Sequence, residues 1–229
     1  SPSEDLFRFR PGKPVFVAEI SGSRASLGVD VYAQYGAQGK RVLCGVGSAR
    51  ICEPDPDDLL TYAIRNPEAE QAALARIKSF GFSSDGTSER LFLLESRDVL
   101  NFLGSGAPQL RREGWKIRYS ERLEKALDQM PSVVPVVNIT DAPRGAFDVG
   151  YTFELNGKPL PETAVQKALN FGDSYILENG QVVLIDTSVV TSMRNVFGEC
   201  ARQGGAAAGR FRVDGLYGPY VKGPGRRNN

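Results

Sequence analysis

The sequence predicts an α+β protein of two small units, each an antiparallel sheet with packed helices, and without a Rossmann or P-loop core. Two Asn-Gly pairs, Asn156-Gly157 and Asn179-Gly180, lie between alternating apolar and polar residues, a pattern typical of β-hairpins. Segments with helical periodicity occur irregularly among the strands, whereas a parallel sheet requires a regular succession of strand and helix. The 229 residues are enough for one large domain or two small ones.

We divide the chain into four regions by composition and pattern. They are an N-terminal extension (1–13), a first α+β unit (14–140), a second α+β unit with both Asn-Gly hairpins (141–201), and a basic glycine-rich linker or tail (202–229).

The first unit opens with a predicted β-meander. Strands are expected at 14–20, 27–35 and 41–46, and alternation places Leu27, Val29, Val31, Ala33 and Tyr35 of the second strand on one face. A helix is predicted from Pro67 to Phe80, with Gly81 ending it, followed by a strand at 90–94.

A helix beginning at Ser96 is expected to break at "GSGAP", residues 104–108. The next segment, Trp115–Tyr119, alternates, so Trp115, Ile117 and Tyr119 are predicted inward and Lys116 and Arg118 outward. Trp115 is therefore interpreted as a core residue rather than a platform for stacking bases. A further helix starts at Ser120 and ends before Pro131.

The second unit continues the mixture of strands and helices. Strands are predicted at 133–139, 147–155, 175–177 and 181–186, and helices at 161–171 and from Thr187 or Ser188 onward.

The composition excludes several kinds of active site. Histidine is absent, which removes Ser-His-Asp and Cys-His catalytic pairs and histidine-ligated zinc. Cys44, Cys52 and Cys200 are too widely spaced for a CxxC pair. The glycine-rich segments 36–41 and 45–50 lack the spacing of a P-loop and are predicted to be hairpin turns. We therefore expect no catalytic residue, no cofactor and no metal.

The acidic segment 53–58 contains Glu53, Asp55, Asp57 and Asp58. Four carboxylates in six residues could hold a hard cation. Alternatively, Asp55 or Asp57 caps a helix over "DDLLTYAIRN", with negative charge at the helix N-terminus. The sequence favours the cap.

The net charge of +1 indicates no particular partner, but the charge is unevenly distributed. Residues 202–229 carry six basic residues and one acid, which leaves the rest of the chain net acidic. Such a basic tail is compatible with nucleic-acid contact, although linkers are often basic too. We find no apolar run long enough to span a membrane and no leader, so we expect a cytoplasmic location, and Ser1 suggests processing or a piece of a longer protein.

Three segments provide a family resemblance: "SRDVLNFLGSGAPQLRREGWKIRYSERLE" (96–124), "DVGYTFELNGKPLPETAVQKAL" (148–169) and "YILENGQVVLIDTSVV" (175–190). Their order resembles that of the accessory region preceding the motor in bacterial Swi/Snf-type helicases, over roughly residues 27–200. The resemblance implies a non-catalytic accessory module whose partners are the motor domains of the same parent chain, encoded beyond residue 229. It provides no catalytic residue.

We therefore expect the chain to regulate or position a DNA-dependent ATPase, or to contact the backbone of duplex DNA. The candidate nucleic-acid residues are Arg111, Arg112, Lys116, Arg118, Arg210, Arg212, Arg226 and Arg227. The alternative is a protein-protein interaction module without a nucleic-acid role, using an apolar patch around Tyr217–Val221. A small enzyme based on carboxylates and lysines is permitted by the composition but not indicated by it.

Overall fold

The computed structural model describes residues 6–36, 39–47, 50–55, 57–198 and 210–213. Helices and small, mostly antiparallel sheets make up this part of the chain, which confirms the predicted α+β class. The chain forms two compact units, one of Ser1–Phe102 and Gly106–Gln129, the other of Leu103–Ser105 and Met130–Asn229. The boundary between the units lies after Gln129, earlier in the chain than the boundary that we placed after residue 140. The reason is that the strand at 135–142 pairs within the second unit.

The strands of the first unit are β1 (Arg8–Pro11), β2 (Val15–Gly22), β3 (Leu27–Tyr35), β4 (Lys40–Leu43), β5 (Cys52–Pro54), β6 (Thr61–Ile64), β7 (Ser83–Ser84), β8 (Leu91–Leu93) and β9 (Lys116–Tyr119). The helices are α1 (Pro67–Lys78), α2 (Ser96–Asn101), α3 (Ala107–Arg112) and α4 (Glu121–Leu127). The main sheet has the order β7-β8-β3-β2-β9, and β4 pairs with the end of β3 that β8 leaves uncovered. Only β2 and β9 are parallel neighbours within it.

The inward face of β3 is buried as the alternation predicts. Its residues Leu27, Val29, Val31, Ala33 and Tyr35 each expose at most 2% of their surface. Helix α1 contacts β3 and helix α4 contacts β2, which covers this face of the sheet. Burial of each large aliphatic side chain here contributes about 1.5–3 kcal/mol.

Helix α1 begins where the sequence places it. The Oδ1 atom of Asn66 accepts a hydrogen bond from the N–H of Ala69 at 3.1 Å, and Pro67 occupies the first turn. One acidic residue of this helix is buried, because α1 carries Glu70 into the core, where it is 1% exposed.

Glu70 is the centre of a buried polar network. Its carboxylate accepts hydrogen bonds from Nε and Nη2 of Arg65 at 2.8 and 2.6 Å and from the Tyr35 hydroxyl at 2.9 Å. Arg65 also donates to the carbonyl oxygens of Gly47 and Leu43, at 2.8 and 3.4 Å. Burial alone raises the pKa of Glu70, but the bonds from Arg65 and Tyr35 outweigh burial and hold the pKa below its usual range. The network thereby joins α1 to β3 and to the loop after β4.

The prediction of a helix over "DDLLTYAIRN", after the acidic segment, is wrong. Strand β6 occupies its place, between β1 on one side and β5 on the other. The acids form turns: Asp55 Oδ1 accepts from the N–H of Asp57 at 2.9 Å, and Asp58 Oδ1 accepts from the N–H of Leu60 at 3.1 Å. Among the described residues, no three Cys, Asp or Glu side chains gather closely enough to hold a metal ion.

The predicted break at residues 104–108 is also wrong. Helices α2 and α3 are joined by a π-helical segment, Phe102–Gly106, with helical dihedral angles at both junctions. Pro108 removes one backbone donor, and the wider π-helical turn before it accommodates that loss. Gly104 is required for a different reason, since a Cβ atom there would lie 2.1 Å from the carbonyl oxygen of Ser174.

The second unit contains β10 (Ser132–Val133), β11 (Pro135–Ala142), β12 (Ala146–Leu155), β13 (Lys158–Pro159), α5 (Glu162–Phe171), β14 (Tyr175–Glu178), β15 (Gln181–Ile185), α6 (Thr187–Gly198) and β16 (Arg210–Val213). One sheet has the order β10-β15-β14, and in another β12 pairs with β11, β13 and β16. Their inward side chains share one core that includes Val149, Phe153, Val183 and Ile185.

Both predicted Asn-Gly hairpins are confirmed. Asn156 and Gly157 have φ of 53° and 74°, and Asn179 and Gly180 have φ of 51° and 78°. Left-handed backbone at both central positions gives the turn a twist that matches the flanking strands. No helix in the described part of the chain has the length and apolar character needed to cross a lipid bilayer.

Candidate nucleic-acid interface

Strand β9 presents Lys116 and Arg118 to solvent, as the alternation predicts. Trp115 is 9% exposed and packs against Phe16, with their ring centroids 5.1 Å apart. Because Trp115 is buried, it offers no open ring face for stacking a base. Contact with a nucleic acid at this strand therefore depends on the outward cations.

The outward cations of β9 lie beside two carboxylates of the neighbouring strands. Arg118 is in register with Glu19 of β2, which in turn is in register with Asp30 of β3. Nη1 of Arg118 lies 3.8 Å from Oε1 of Glu19, and Nη2 of Arg41 on β4 lies 2.6 Å from the same oxygen. Arg90, just before β8, places Nη1 3.5 Å from Oδ2 of Asp30. The outer surface of the sheet thus collects several charges in one place.

We call this surface the basic sheet face and define it as Lys116, Arg118, Arg41, Arg90, Glu19 and Asp30. Lys116 belongs to it because its Nζ donates to Oε1 of Gln34, the β3 residue paired with Arg41. Four cations and two carboxylates give the face a net charge of +2. The excess is modest, but it is concentrated on an open surface, where it attracts an anionic polymer.

A shallow cavity of about 330 Å³ lies within this face. Its lining includes Arg90, Arg118, Ser21, Ser120 and the two carboxylates. The Arg118 side chain is 58% exposed and its contact with Glu19 is long, so most of its guanidinium donors face solvent. Guanidinium and hydroxyl donors around one cavity are the groups that bind phosphate oxygens.

Gly28 determines where Arg90 lies. A Cβ atom at Gly28 would come within 2.5 Å of Nε of Arg90, so the guanidinium rests directly on the backbone of β3. Nη2 of Arg90 also donates to the Ser21 hydroxyl. The contacts with Ser21 and Asp30 thus hold the Arg90 side chain against β2 and β3.

The remaining first-unit candidates, Arg111 and Arg112, lie elsewhere. Both are exposed in the last turn of α3, and the Arg111 guanidinium lies over the ring of Tyr119, 5.4 Å from its centroid. Burial raises the pKa of Tyr119, and Arg111 opposes that rise. Because Tyr119 and Arg118 are adjacent in a strand, they point to opposite faces. The structure therefore brings Lys116 and Arg118 together and separates Arg111 from them.

The other candidates belong to the second unit or to parts of the chain that are not described. Arg210 and Arg212 are in β16, where they pair in register with Gly150 and Asp148 of β12. Arg226, Arg227 and the apolar segment 217–221 lie outside the described residues.

Sequence reasoning missed Arg41 and Arg90. The alternation in β3 contained an indication of them, since placing Val29 and Val31 inward makes Asp30 outward. An outward acid in the middle of a sheet indicates cations on the adjacent strands, because opposite charges on neighbouring strands attract each other and like charges repel. Only the register of β4 and β8 shows which cations these are.

The second unit has a larger cavity, of about 770 Å³, beside β12 and α5. The charged residues in its described lining are Asp148 and Glu162, both acidic. Because the charged residues in this described lining are carboxylates, it attracts phosphate less than the cations of the basic sheet face do.

No family model matches this chain, and no curated protein or solved structure resembles it significantly. The candidate site therefore depends on the geometry of the chain itself.

Proposed function

We propose that this chain is a non-catalytic accessory module of a bacterial Swi/Snf-type DNA-dependent ATPase, and that it contacts the phosphate backbone of duplex DNA. The observation that supports DNA contact is the basic sheet face, where four cations surround two carboxylates on an open sheet. The order of the sequence segments at 96–124, 148–169 and 175–190 supports the link to the motor. The role places the chain in the cytoplasm, next to the motor domains of its parent protein.

Contact through this face would not depend on DNA sequence. Arginine and lysine bind phosphate oxygens, which are the same at every base pair. The binding free energy would come largely from released counterions, so affinity would fall steeply with salt. Such contact suits a module that holds a translocating motor on any duplex.

Anisotropy of a fluorescein-labelled duplex, titrated with the chain over a series of salt concentrations, tests DNA contact. We expect the double variant Lys116→Glu and Arg118→Glu to bind at least about tenfold more weakly, because it reverses two charges of the face. The matched control is Arg122→Glu with Lys125→Glu on α4, which changes the net charge equally and leaves the face intact. Equal losses in both variants, or no binding at low salt, would contradict the proposal.

The link to a motor has a separate test in the gene. The reading frame that follows the codon for Asn229 should encode a phosphate-binding loop and an acidic ATPase motif. A stop codon there would exclude the accessory role, and it would leave the DNA-binding result to be judged by itself.

A further inference from the structure

The sheet formed by β1, β6 and β5 has an exposed aromatic face. Phe7 and Phe9 are 44% and 59% exposed, and their ring centroids lie 5.6 and 6.0 Å from that of Tyr62. Leu59 and Leu60, also exposed, lie in the turn that leads into β6. Contiguous exposed apolar groups of this kind mark interaction surfaces.

The same sheet has an unpaired edge. The N–H of Arg8 donates to the carbonyl of Leu60 at 2.7 Å, and that of Gly12 donates to Ile64 at 2.8 Å. In a parallel ladder, alternate residues direct their backbone N–H and C=O groups to the same side. Arg8 and Gly12 direct theirs to β6, so the backbone groups of Phe9 point away from β6. No strand of the described chain pairs with this edge. Unpaired edges of this kind bind an additional strand.

Charges alternate with the aromatic residues along β1. Strand geometry places the exposed Arg8 and Arg10 on the face opposite to Phe7 and Phe9. One row of the sheet runs from Glu53 through Ala63 to Arg10, so an added strand would continue the row next to a cation. An acidic residue is the favourable neighbour at that position.

We propose that β1 binds an extended strand of a partner protein in which apolar and acidic residues alternate. The apolar side chains pack on Phe7 and Phe9, and the acidic side chains pair with Arg8 and Arg10. Pro11 has no N–H, so the new ladder ends there and the bound strand is short. A nucleotide chain lacks this two-residue period and the backbone amides that the edge would pair with. The site belongs to a different sheet from the basic sheet face and does not depend on DNA binding.

The first test uses the full chain and a short fluorescein-labelled peptide of alternating valine and glutamate. We expect saturable binding that is lost when alternate peptide bonds are N-methylated, because the methyl groups block pairing along one edge of the peptide. This comparison uses the unaltered chain, so it does not depend on the folding of any variant. Equal binding of the methylated peptide would overturn the proposal.

The second test separates the backbone from the side chain at Phe9. Both Phe9→Ala and Phe9→Pro remove the ring, but only Phe9→Pro removes the outward N–H, and neither affects a donor of the β1–β6 ladder. We expect Phe9→Pro to bind the peptide about tenfold more weakly than Phe9→Ala, with circular dichroism showing that both are folded. Equal affinities in the two folded variants would contradict strand addition.

The third test exchanges charges. The double variant Arg8→Glu and Arg10→Glu should lose its affinity for the valine–glutamate peptide and bind a valine–lysine peptide instead. Its affinity for duplex DNA should stay the same. A wild-type chain that binds both peptides equally would exclude the acidic partner. Self-association that Phe9→Pro abolishes would show instead that a second copy of this chain occupies the edge.

Discussion

The guanidinium of Arg65 and the carboxylate of Glu70 form a two-pronged ion pair whose side chains are only 12% and 1% exposed. Replacing Glu70 by Gln leaves the arginine charge buried without its counter-ion, so Glu70→Gln should lower the free energy of unfolding by about 3–5 kcal/mol. Urea denaturation measures the loss. The control is Glu121→Gln, which breaks the exposed pair with Lys125 and should leave stability nearly unchanged. Similar losses in both variants would show that Glu70 contributes no more than a surface charge.

The same pair should make stability depend on acid. Burial raises the pKa of Glu70, but its bonds to Arg65 and Tyr35 bring the folded pKa below the unfolded value of 4.5. The contribution is therefore complete above the unfolded value and is lost as pH falls through the folded one. Between about pH 6 and pH 3, the free energy of unfolding should fall more steeply with decreasing pH for the wild type than for Glu70→Gln. Parallel profiles would contradict this.

Two cysteines should differ sharply in reactivity. Cys44 is 2% exposed, and burial together with nearby Glu70 raises the pKa of its thiol to about 12, whereas Cys52 is exposed. Since the thiolate is the nucleophile, iodoacetamide should alkylate Cys52 in the folded chain and reach Cys44 only in denaturant. Peptide mass mapping measures both sites. Modification of Cys44 at the rate of Cys52 would show that the core around it opens readily.

Alanine at Gly104 should destabilise the chain, although alanine normally favours a helix by about 1 kcal/mol over glycine. The added Cβ would lie 2.1 Å from a backbone oxygen of Ser174, and such overpacking costs about 1–3 kcal/mol. Thermal unfolding of Gly104→Ala measures whether the substitution lowers or raises stability. Adding Ser174→Gly should not restore stability, because the clash is with the carbonyl rather than with the side chain. A gain in stability for Gly104→Ala would contradict the close packing.

Removal of the central carboxylate should strengthen DNA binding. Glu19 lies within 4 Å of both Arg41 and Arg118, so Glu19→Gln releases two cations of the basic sheet face. We expect duplex affinity to rise about fivefold at low salt, as one fewer repulsive charge is worth about 1 kcal/mol in water. Glu113→Gln is the matched control, because Glu113 is equally exposed and pairs with Arg76 outside the face. Equal gains would indicate a general effect of net charge.

Local patterns in the sequence predict much of this fold. Alternation identifies β3 and β9 with the correct inward faces, and the Asn-Gly pairs locate both hairpins, since those features depend on neighbouring residues alone. The errors arise where residues distant in sequence determine the secondary structure. "TYAI" becomes a strand because β1 and β5 pair with it, and "GSGAP" remains helical because its glycines allow close packing.

The basic sheet face was only partly predictable for the same reason. Lys116 and Arg118 follow from alternation within one strand, whereas Arg41 and Arg90 join them through the register of other strands. Glu70 escaped prediction because its partner Tyr35 is remote in sequence. From sequence alone, a charged residue in a helix is predicted to be exposed, because the group that pairs with it in the core is not known.

The parallel pairing of β2 with β9 also determines when the first unit can fold. Val17 pairs with Lys116, so the main sheet gains its last strand only after about one hundred further residues have been synthesised. Until then the edge of β2 that receives β9 stays open and the hydrophobic core is incomplete. On the ribosome, the early hairpin of β2 and β3 must therefore wait for the C-terminal end of its own unit, a period in which chaperones have access to it.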